Sequence, residues 1–372
     1  MKSTRAIKVI TSLSVGVVLV ASLSWIGLGQ VSGRIDRISV FAGLDNRPEK
    51  TSKALNYLLV GSDTREGLSK EELRTLRVGS AKTAAGGRSD TMLLVHISKE
   101  RDKAFLVSLP RDSLVTIPAH LSTDGKTQIP DRENKLNAAF AFGGAPLLIE
   151  TIERATNLKM DHYIEVSFAG FAGIVNALGG IEVCTKVDID DPKSHLVLSA
   201  GTHTLDGIEA LKYVRTRDFD GRGDIGRMQR QQQFMSSVIK KATSTGVLLN
   251  PIKLTNFLNA AISTVKMDET LSKNDLLDLA KQMRGLSSGN VRTLTVPLKT
   301  ANGRHPTAGS VVIWDPVLSA ELWTRIRDDA ALVDEIKPSP SASSSTSATP
   351  KPVIVDKFKT RTAAENPCGE IK

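Results

Sequence analysis

Four segments of the chain set arginine beside aspartate: Gly61-Ser62-Asp63-Thr64-Arg65, Gly87-Arg88-Ser89-Asp90-Thr91, Leu109-Pro110-Arg111-Asp112, and Val214-Arg215-Thr216-Arg217-Asp218, which continues through Asp224 to Gln233. Arginine suits phosphate because its planar fork donates two parallel hydrogen bonds and never loses its charge. Aspartate suits Mg2+, which takes a few carboxylates, water and the substrate's own phosphate oxygens. Asp63 and Asp90, each on a loop beside an expected strand, fit that arrangement. Arg–Asp neighbours at strand ends are also ordinary surface ion pairs of small worth. One such segment decides nothing; four point toward an anion site without establishing it.

The last segment adds helical spacing. Asp224, Arg227 and Gln231 are three and four residues apart, so a helix over 224–243 sets them on one face, with Arg230 about a third of a turn away. Ile225, Met228, Gln232 and Val238 make no clean apolar stripe along it. A polar face built to meet a ligand accounts for this, and so does a solvated surface helix with local pairs.

The elements that must position these residues alternate in type. Strands are expected over 56–61, 91–97 and 103–109, the last two joined by the charged turn 98–102. Helices over 144–157 and 167–178 flank a strand at 161–166, and Gly179-Gly180 stops the second helix before a strand at 181–185. Helices at 205–213, 224–243, 251–263, 272–285 and 316–327 and a strand at 291–296 complete the pattern. Interleaved strands and helices give the α/β class, a mixed central β-sheet with helices on both faces. Segments 91–97, 104–109, 136–142 and 168–178 are apolar and rich in small residues. They suit a tunnel for a lipid chain or an ordinary core. The polar stretch 66–87, with its Gly86-Gly87 pair, reads as a long loop with room for one short helix.

The 372 residues are 40% apolar and 24% charged, ordinary for a folded protein. Aromatic residues make up only 4%, which argues against base stacking on aromatic platforms. The net charge of +9 attracts polyanions without choosing among them. Topology narrows the choice. Val9 to Gly29 carries no charge and would span about 31 Å as a helix, and Lys2, Arg5 and Lys8 give it a positive cytoplasmic flank. It reads as a retained membrane anchor; the rival reading is a cleaved signal peptide, for which Ala21-Ser22-Leu23 is a poor site. Both send residues 35–372 out of the cytoplasm, so a DNA-binding reading fits the charge and not the topology.

The resulting layout is a cytoplasmic N-terminus (1–8), an anchor (9–29), a juxtamembrane stalk (30–53), a folded region (54–336), a Ser/Pro-rich linker (337–352) and a short tail (353–372) that docks or trails. Cys184 and Cys368 are a candidate disulfide tying the tail to the domain; two unrelated buried thiols suit the sequence nearly as well. No P-loop, repeat or Cys/His metal spacing is present.

From about Asn56 to Thr243, half of the chain, the segments resemble the LytR-CpsA-Psr family of bacterial cell-wall phosphotransferases. The resemblance rests on Leu59 to Arg65, Gly87 to Met92, Ser108 to Asp112, Lys135-Leu136-Asn137-Ala138-Ala139, Gly170 to Gly180, Leu205-Asp206-Gly207, Tyr213 to Arg217 and Asp224 to Gln232. No single piece is specific; their order behind an N-terminal anchor is. The Ser/Pro-rich tail with its Cys looks like an actinobacterial version.

The resemblance implies transfer of a glycan 1-phosphate from a polyprenyl diphosphate carrier to a peptidoglycan hydroxyl. It matches Asp63 and Asp90 to holders of Mg2+ (or Mn2+). It matches Arg88, Arg111, Arg215 and Arg217 to the cluster gripping the diphosphate, and Asp224, Arg227 and Gln231 to the helix closing the site. Arg65, Lys135, Asn137 and Arg230 are expected to bind substrate. A longer Asp63–Asp90 connection than in many members departs from the pattern. A polyprenyl-diphosphate hydrolase and a non-catalytic sensor of wall precursors would share these residues.

Overall fold

The computed structural model describes residues 36–65, 67–76, 89–221, 223–244, 250–336 and 353–365. Its centre is an eight-stranded sheet: β1 Asp36–Ile38, β2 Leu55–Ser62, β3 Ser89–Ile97, β4 Ala104–Leu109, β5 His162–Val166, β6 Val265–Asp268, β7 Val291–Thr295 and β8 Arg361–Thr362. The spatial order is β1-β6-β5-β2-β3-β4-β7-β8. β1 and β6, β2 and β5, and β4 and β7 run parallel, while the other neighbours are antiparallel. Helices α1 Lys70–Leu76, α2 Leu136–Thr156, α3 Phe168–Ala177, α4 Gly207–Arg215, α5 Gly223–Ser244, α6 Pro251–Ile262, α7 Lys273–Gln282 and α8 Pro316–Arg327 surround it.

The central strands are apolar at nearly every position, which a sheet requires when both faces are covered. Side chains alternate across the pleat. Leu58, Val60, Met92, Leu94, Phe105 and Val107 face α2 and α8, packing with Leu148, Ile149, Ile152, Leu322 and Ile326. Residues of opposite parity face the other way: Tyr57 and Ile97 join Met267 and Leu271 against α6 and α7, and Leu93 and Leu106 meet Met235 and Ile239 of α5.

α2 differs from its expected extent. Expected from 144, the helix begins at Leu136 and is kinked at Gly143-Gly144, with φ/ψ of −139/17° at Gly143 and 64/−155° at Gly144. α4 is fixed at its start by a capping box. The Asp206 carboxylate accepts from the Ile208 and Glu209 backbone N–H at 2.9 Å, and Glu209 accepts from the Asp206 N–H. Gly207 permits close contact between α4 and α3, because a Cβ there would lie 2.4 Å from the Ala172 carbonyl oxygen.

The stalk expected over 30–53 is folded from residue 36 onward. β1 pairs with β6, Arg37 donates to the carbonyls of Asp268, Glu269 and Leu271, and Arg47 forms a 2.7 Å ion pair with Glu153. The tail docks rather than trails: 353–355 pairs with 334–336, and β8 extends the sheet beside β7. The short helix for which the 66–87 loop has room is α1, and residues 77–88 lie outside the described residues. Cys184 is disulfide-bonded, and Cys368 lies outside the described residues. The anchor expected at 9–29 also lies outside them; among the described residues no helix is long and apolar enough to cross a membrane.

Candidate active site

A cavity of about 1120 Å³ opens between the sheet and α3, α4 and α5. That exceeds the roughly 300–1,000 Å³ of ordinary small-molecule sites. Its interior is apolar, with Leu59, Leu93 and Leu106 from the strands facing Phe171, Leu211 and Val238 from the helices. Its mouth is polar and basic, lined by Arg111, Asp112, Lys193, Arg215, Arg217, Arg227 and Gln231. Of the segments expected to form a tunnel, 91–97, 104–109 and 168–178 contribute walls. Segment 136–142 does not: Leu136 and Ala139 sit in the core on the opposite face of the sheet.

The mouth residues come from strand and helix ends. Pro110 ends β4 and delivers Arg111 and Asp112, and the Arg111 carbonyl accepts from the Asn137 backbone N–H at 3.0 Å. Asp112 is held by Lys135 at 3.0 Å and by Arg111 Nε at 3.4 Å. Lys135 and Asn137 thus meet the mouth through Asp112 and Arg111 and do not line the cavity. Arg215 closes α4 over the Phe168 ring, 5.2 Å from its centroid. Arg227 is 5% exposed, and one turn along α5 the Gln231 amide donates to the Val214 carbonyl at 3.2 Å.

The other expected residues are placed as follows. Arg230 is not at the cavity. It is 3% exposed, pairs with Asp220 at 2.6 Å, donates to the Thr216 carbonyl at 2.7 Å and lies over the Phe219 ring. Its work is to hold the 216–220 turn that carries Arg217. Asp63 and Arg65 are half-buried just past the end of β2 and outside the cavity lining. In the β2–β3 ladder Gly61 pairs with Thr91 and Ser62 with Ser89, leaving Asp90 as the extra residue of a β-bulge. The backbone therefore sets Asp63 and Asp90 at one end of the hairpin, two carboxylate-bearing residues of the kind Mg2+ takes alongside water and phosphate oxygens. The side chains of Asp90 and Asp224, and all of Arg88, lie outside what is described. Among the described residues no group of three or more His, Cys, Asp or Glu gathers to hold a metal.

Sequence reasoning missed several contributors. Lys193 lines the mouth from the turn of the 189–191/196–198 hairpin. The 298–305/309–314 hairpin brings Asn302 and Ser310 to the cavity and docks on β4's end through Val312 N–H to the Asp112 carbonyl (2.8 Å) and Trp314 Nε1–H to Ser113 Oγ (2.8 Å). Asp191 is 1% exposed and accepts four backbone N–H bonds, from Lys193 and Ser194 at one oxygen and Arg217 and Asp218 at the other. Burial alone would raise its pKa; the N–H donors of Ser194, Asp218 and Arg217 outweigh that and hold it at about 2. The only sequence signal was turn chemistry in Asp190-Asp191-Pro192-Lys193.

Known proteins are similar to this chain in sequence and fold. Residues 34–322 match the LytR_cpsA_psr family. The probable cell wall biosynthesis protein LcpB of Corynebacterium glutamicum is 38% identical over 272 residues, covering 73% of this chain and 61% of its own. The cell wall biosynthesis protein LcpA of the same organism is 31% identical over 333 residues, covering 82% and 62%. The chain thus spans about three fifths of the length of these two relatives. The polyisoprenyl-teichoic acid–peptidoglycan teichoic acid transferase TagU of Enterococcus faecalis is 31% identical, covering 74% of this chain and 84% of its own. A solved structure of TagT bound to LI-WTA superposes with a TM-score of 0.56 at 26% identity, over 79% of this chain and 99% of that one. With a family match over most of its length and relatives on the same fold, the chain belongs to the LytR_cpsA_psr family.

Proposed function

We propose that the protein is a phosphotransferase that moves a glycan 1-phosphate from a polyprenyl diphosphate carrier to a hydroxyl of peptidoglycan. The observation that carries this reading is the cavity itself, in which one apolar chamber continuous with an arginine-lined mouth matches one substrate with a long hydrocarbon tail and a diphosphate head. The names of the relatives, cell wall biosynthesis proteins and a teichoic acid transferase, agree with it.

The chemistry is an in-line displacement. The acceptor oxygen attacks the phosphorus nearer the glycan, the bridging P–O bond breaks, and the carrier leaves as a polyprenyl monophosphate while the hydroxyl proton passes to a base. Such a reaction needs position and charge neutralisation more than covalent help. Arg111, Arg215, Arg217 and Arg227 converge on the mouth to grip diphosphate oxygens, and their charge favours the extra negative charge of the leaving group. Asp63 and Asp90 would hold Mg2+, whose contribution when bound is to neutralise phosphate charge. Asp112, oriented by Lys135 and Arg111, is the carboxylate among the described lining residues. It is a candidate to take the acceptor proton.

Residues 9–29 would anchor the chain in the cell membrane with its N-terminus cytoplasmic and this domain outside, within reach of a carrier lodged in the same bilayer. The test is mass spectrometry of lipid copurifying with the full chain, followed by incubation with lipid-linked glycan and peptidoglycan. A bound polyprenyl phosphate and a new glycan–peptidoglycan phosphodiester are expected. Glycan 1-phosphate released to water without linkage would make the protein a hydrolase, and binding without turnover would make it a sensor.

A further inference from the structure

We infer that Asp191 is a positioning residue that fixes Arg217 at the mouth of the cavity, an inference that rests on the mouth being a diphosphate site. Asp191 belongs to a hairpin distant in sequence from every Arg/Asp segment, yet its carboxylate ties two backbones together. Oδ1 accepts from Lys193 N–H at 3.0 Å and Ser194 N–H at 2.7 Å, shaping the hairpin turn. Oδ2 accepts from Arg217 N–H at 2.6 Å and Asp218 N–H at 2.7 Å. A Lys193–Asp218 ion pair of 2.8 Å closes the same junction from outside.

The turn that carries Arg217 is therefore gripped twice. Asp191 binds its N–H groups from one side, and Arg230 binds the Thr216 carbonyl and the Asp220 carboxylate from the other. Lys193 and Arg217, the cavity-lining residues at this junction, sit on the two backbones that Asp191 joins. Only a carboxylate serves this geometry. Each of its oxygens accepts, whereas an amide of the same shape accepts at one atom and presents an NH2 at the other. In Asp191→Asn that NH2 would face two N–H donors, so either the Arg217 side or the Lys193 side must move. A buried donor left without its partner is costly.

A purely structural clamp would make the same bonds, so the test must read Arg217. Inorganic pyrophosphate with Mg2+ is titrated calorimetrically into the full chain as wild type, Asp191→Asn, Arg217→Ala and the double variant, with thermal melts alongside. Asp191→Asn is expected to weaken binding by about tenfold or more. In the Arg217→Ala background the same change should matter less than about twofold, because the residue it positions is gone. Equal affinity of Asp191→Asn and wild type overturns the inference, as does an equal loss in both backgrounds. Failure of the wild type to bind pyrophosphate overturns the diphosphate reading and this inference with it. If Asp191→Asn does not fold, Asp191→Glu, which keeps both acceptor oxygens but displaces them by one methylene, takes its place in the cycle with the same outcomes.

Discussion

The two faces of the central sheet are made of the same kinds of residue and end differently. On one face Leu58, Val60, Leu94 and Val107 are wholly buried against α2 and α8. On the other, Leu59, Leu93 and Leu106 border a cavity of about 1120 Å³. Helices cover both faces, but a cavity remains between the sheet and α3, α4 and α5, although Met235 and Ile239 of α5 reach Leu93 and Leu106. A hollow of this size forgoes the dispersion contacts that a filled core supplies. The difference teaches that the filled face supplies stability and the hollow face supplies a site, and that the two roles can be separated by substitution.

The largest separation is expected at the mouth of the hollow face. Arg111→Ala or Arg217→Ala should lower transfer by about a thousandfold, in the range seen when a group that stabilises transition-state charge is removed, with the unfolding midpoint nearly unchanged. Normal activity in both variants would remove them from the site. Chelation should likewise stop transfer, and added Mg2+ or Mn2+ should restore it; full activity in excess chelator would free Asp63 and Asp90 from a metal role.

On the filled face the sign reverses. Leu148→Ala in α2 should cost about 2–5 kcal/mol of stability and leave the affinity for prenyl phosphate intact. Val238→Trp, which pushes bulk into the hollow, should cost less than about 1 kcal/mol yet strip copurifying lipid. Equal destabilisation by the two would mean that the hollow is packed core after all.

Smaller effects sharpen the contrast. Asp191 has a folded pKa of about 2, below the roughly 3.9 of an unfolded aspartate. Its contribution to stability is therefore complete above about pH 4 and fades as pH falls toward 2. Melts of wild type and Asp191→Asn, apart at neutral pH, should converge at the acid end. The smallest effect belongs to the solvent side of α2, where the Arg154–Asp131 pair is half exposed. Arg154→Ala should change stability by less than about 0.5 kcal/mol, and a loss of several times that would show a surface pair carrying more than its exposure allows.

Sequence made one face more legible than the other. β2 to β5 and most helices declare themselves through apolar runs and punctuation, as in the Ser98 to Asp102 turn and the Gly179-Gly180 stop. Hydrophobic alternation says that a face is covered but not how closely. For that reason 136–142 and 168–178 looked alike, though one packs the core and the other lines the cavity. β1, β6 and β8 are two to four residues long and carry no periodicity of their own, since their place is set by partners far along the chain. The arginines of the mouth were legible by type. Arg230 was misplaced because helical spacing does not reveal that Asp220 and Phe219 fold back to meet it. Asp191 and Lys193 stayed hidden because a turn aspartate usually serves only its own turn.

The early start of the folded region changes the mechanics of attachment. A stalk running from residue 30 to residue 53 could stretch to about 80 Å, enough to let the domain roam well clear of a bilayer. With β1 locked beside β6 and Arg37 bonded across the edge of the sheet, residue 36 belongs to the fold, and the six residues between it and the proposed anchor could span at most about 20 Å. If residues 9–29 are that anchor, so short a connection would let the domain turn about one sheet edge rather than drift, restricting its orientation as well as its height. Lengthening it with a flexible insert before residue 36 would separate those two constraints.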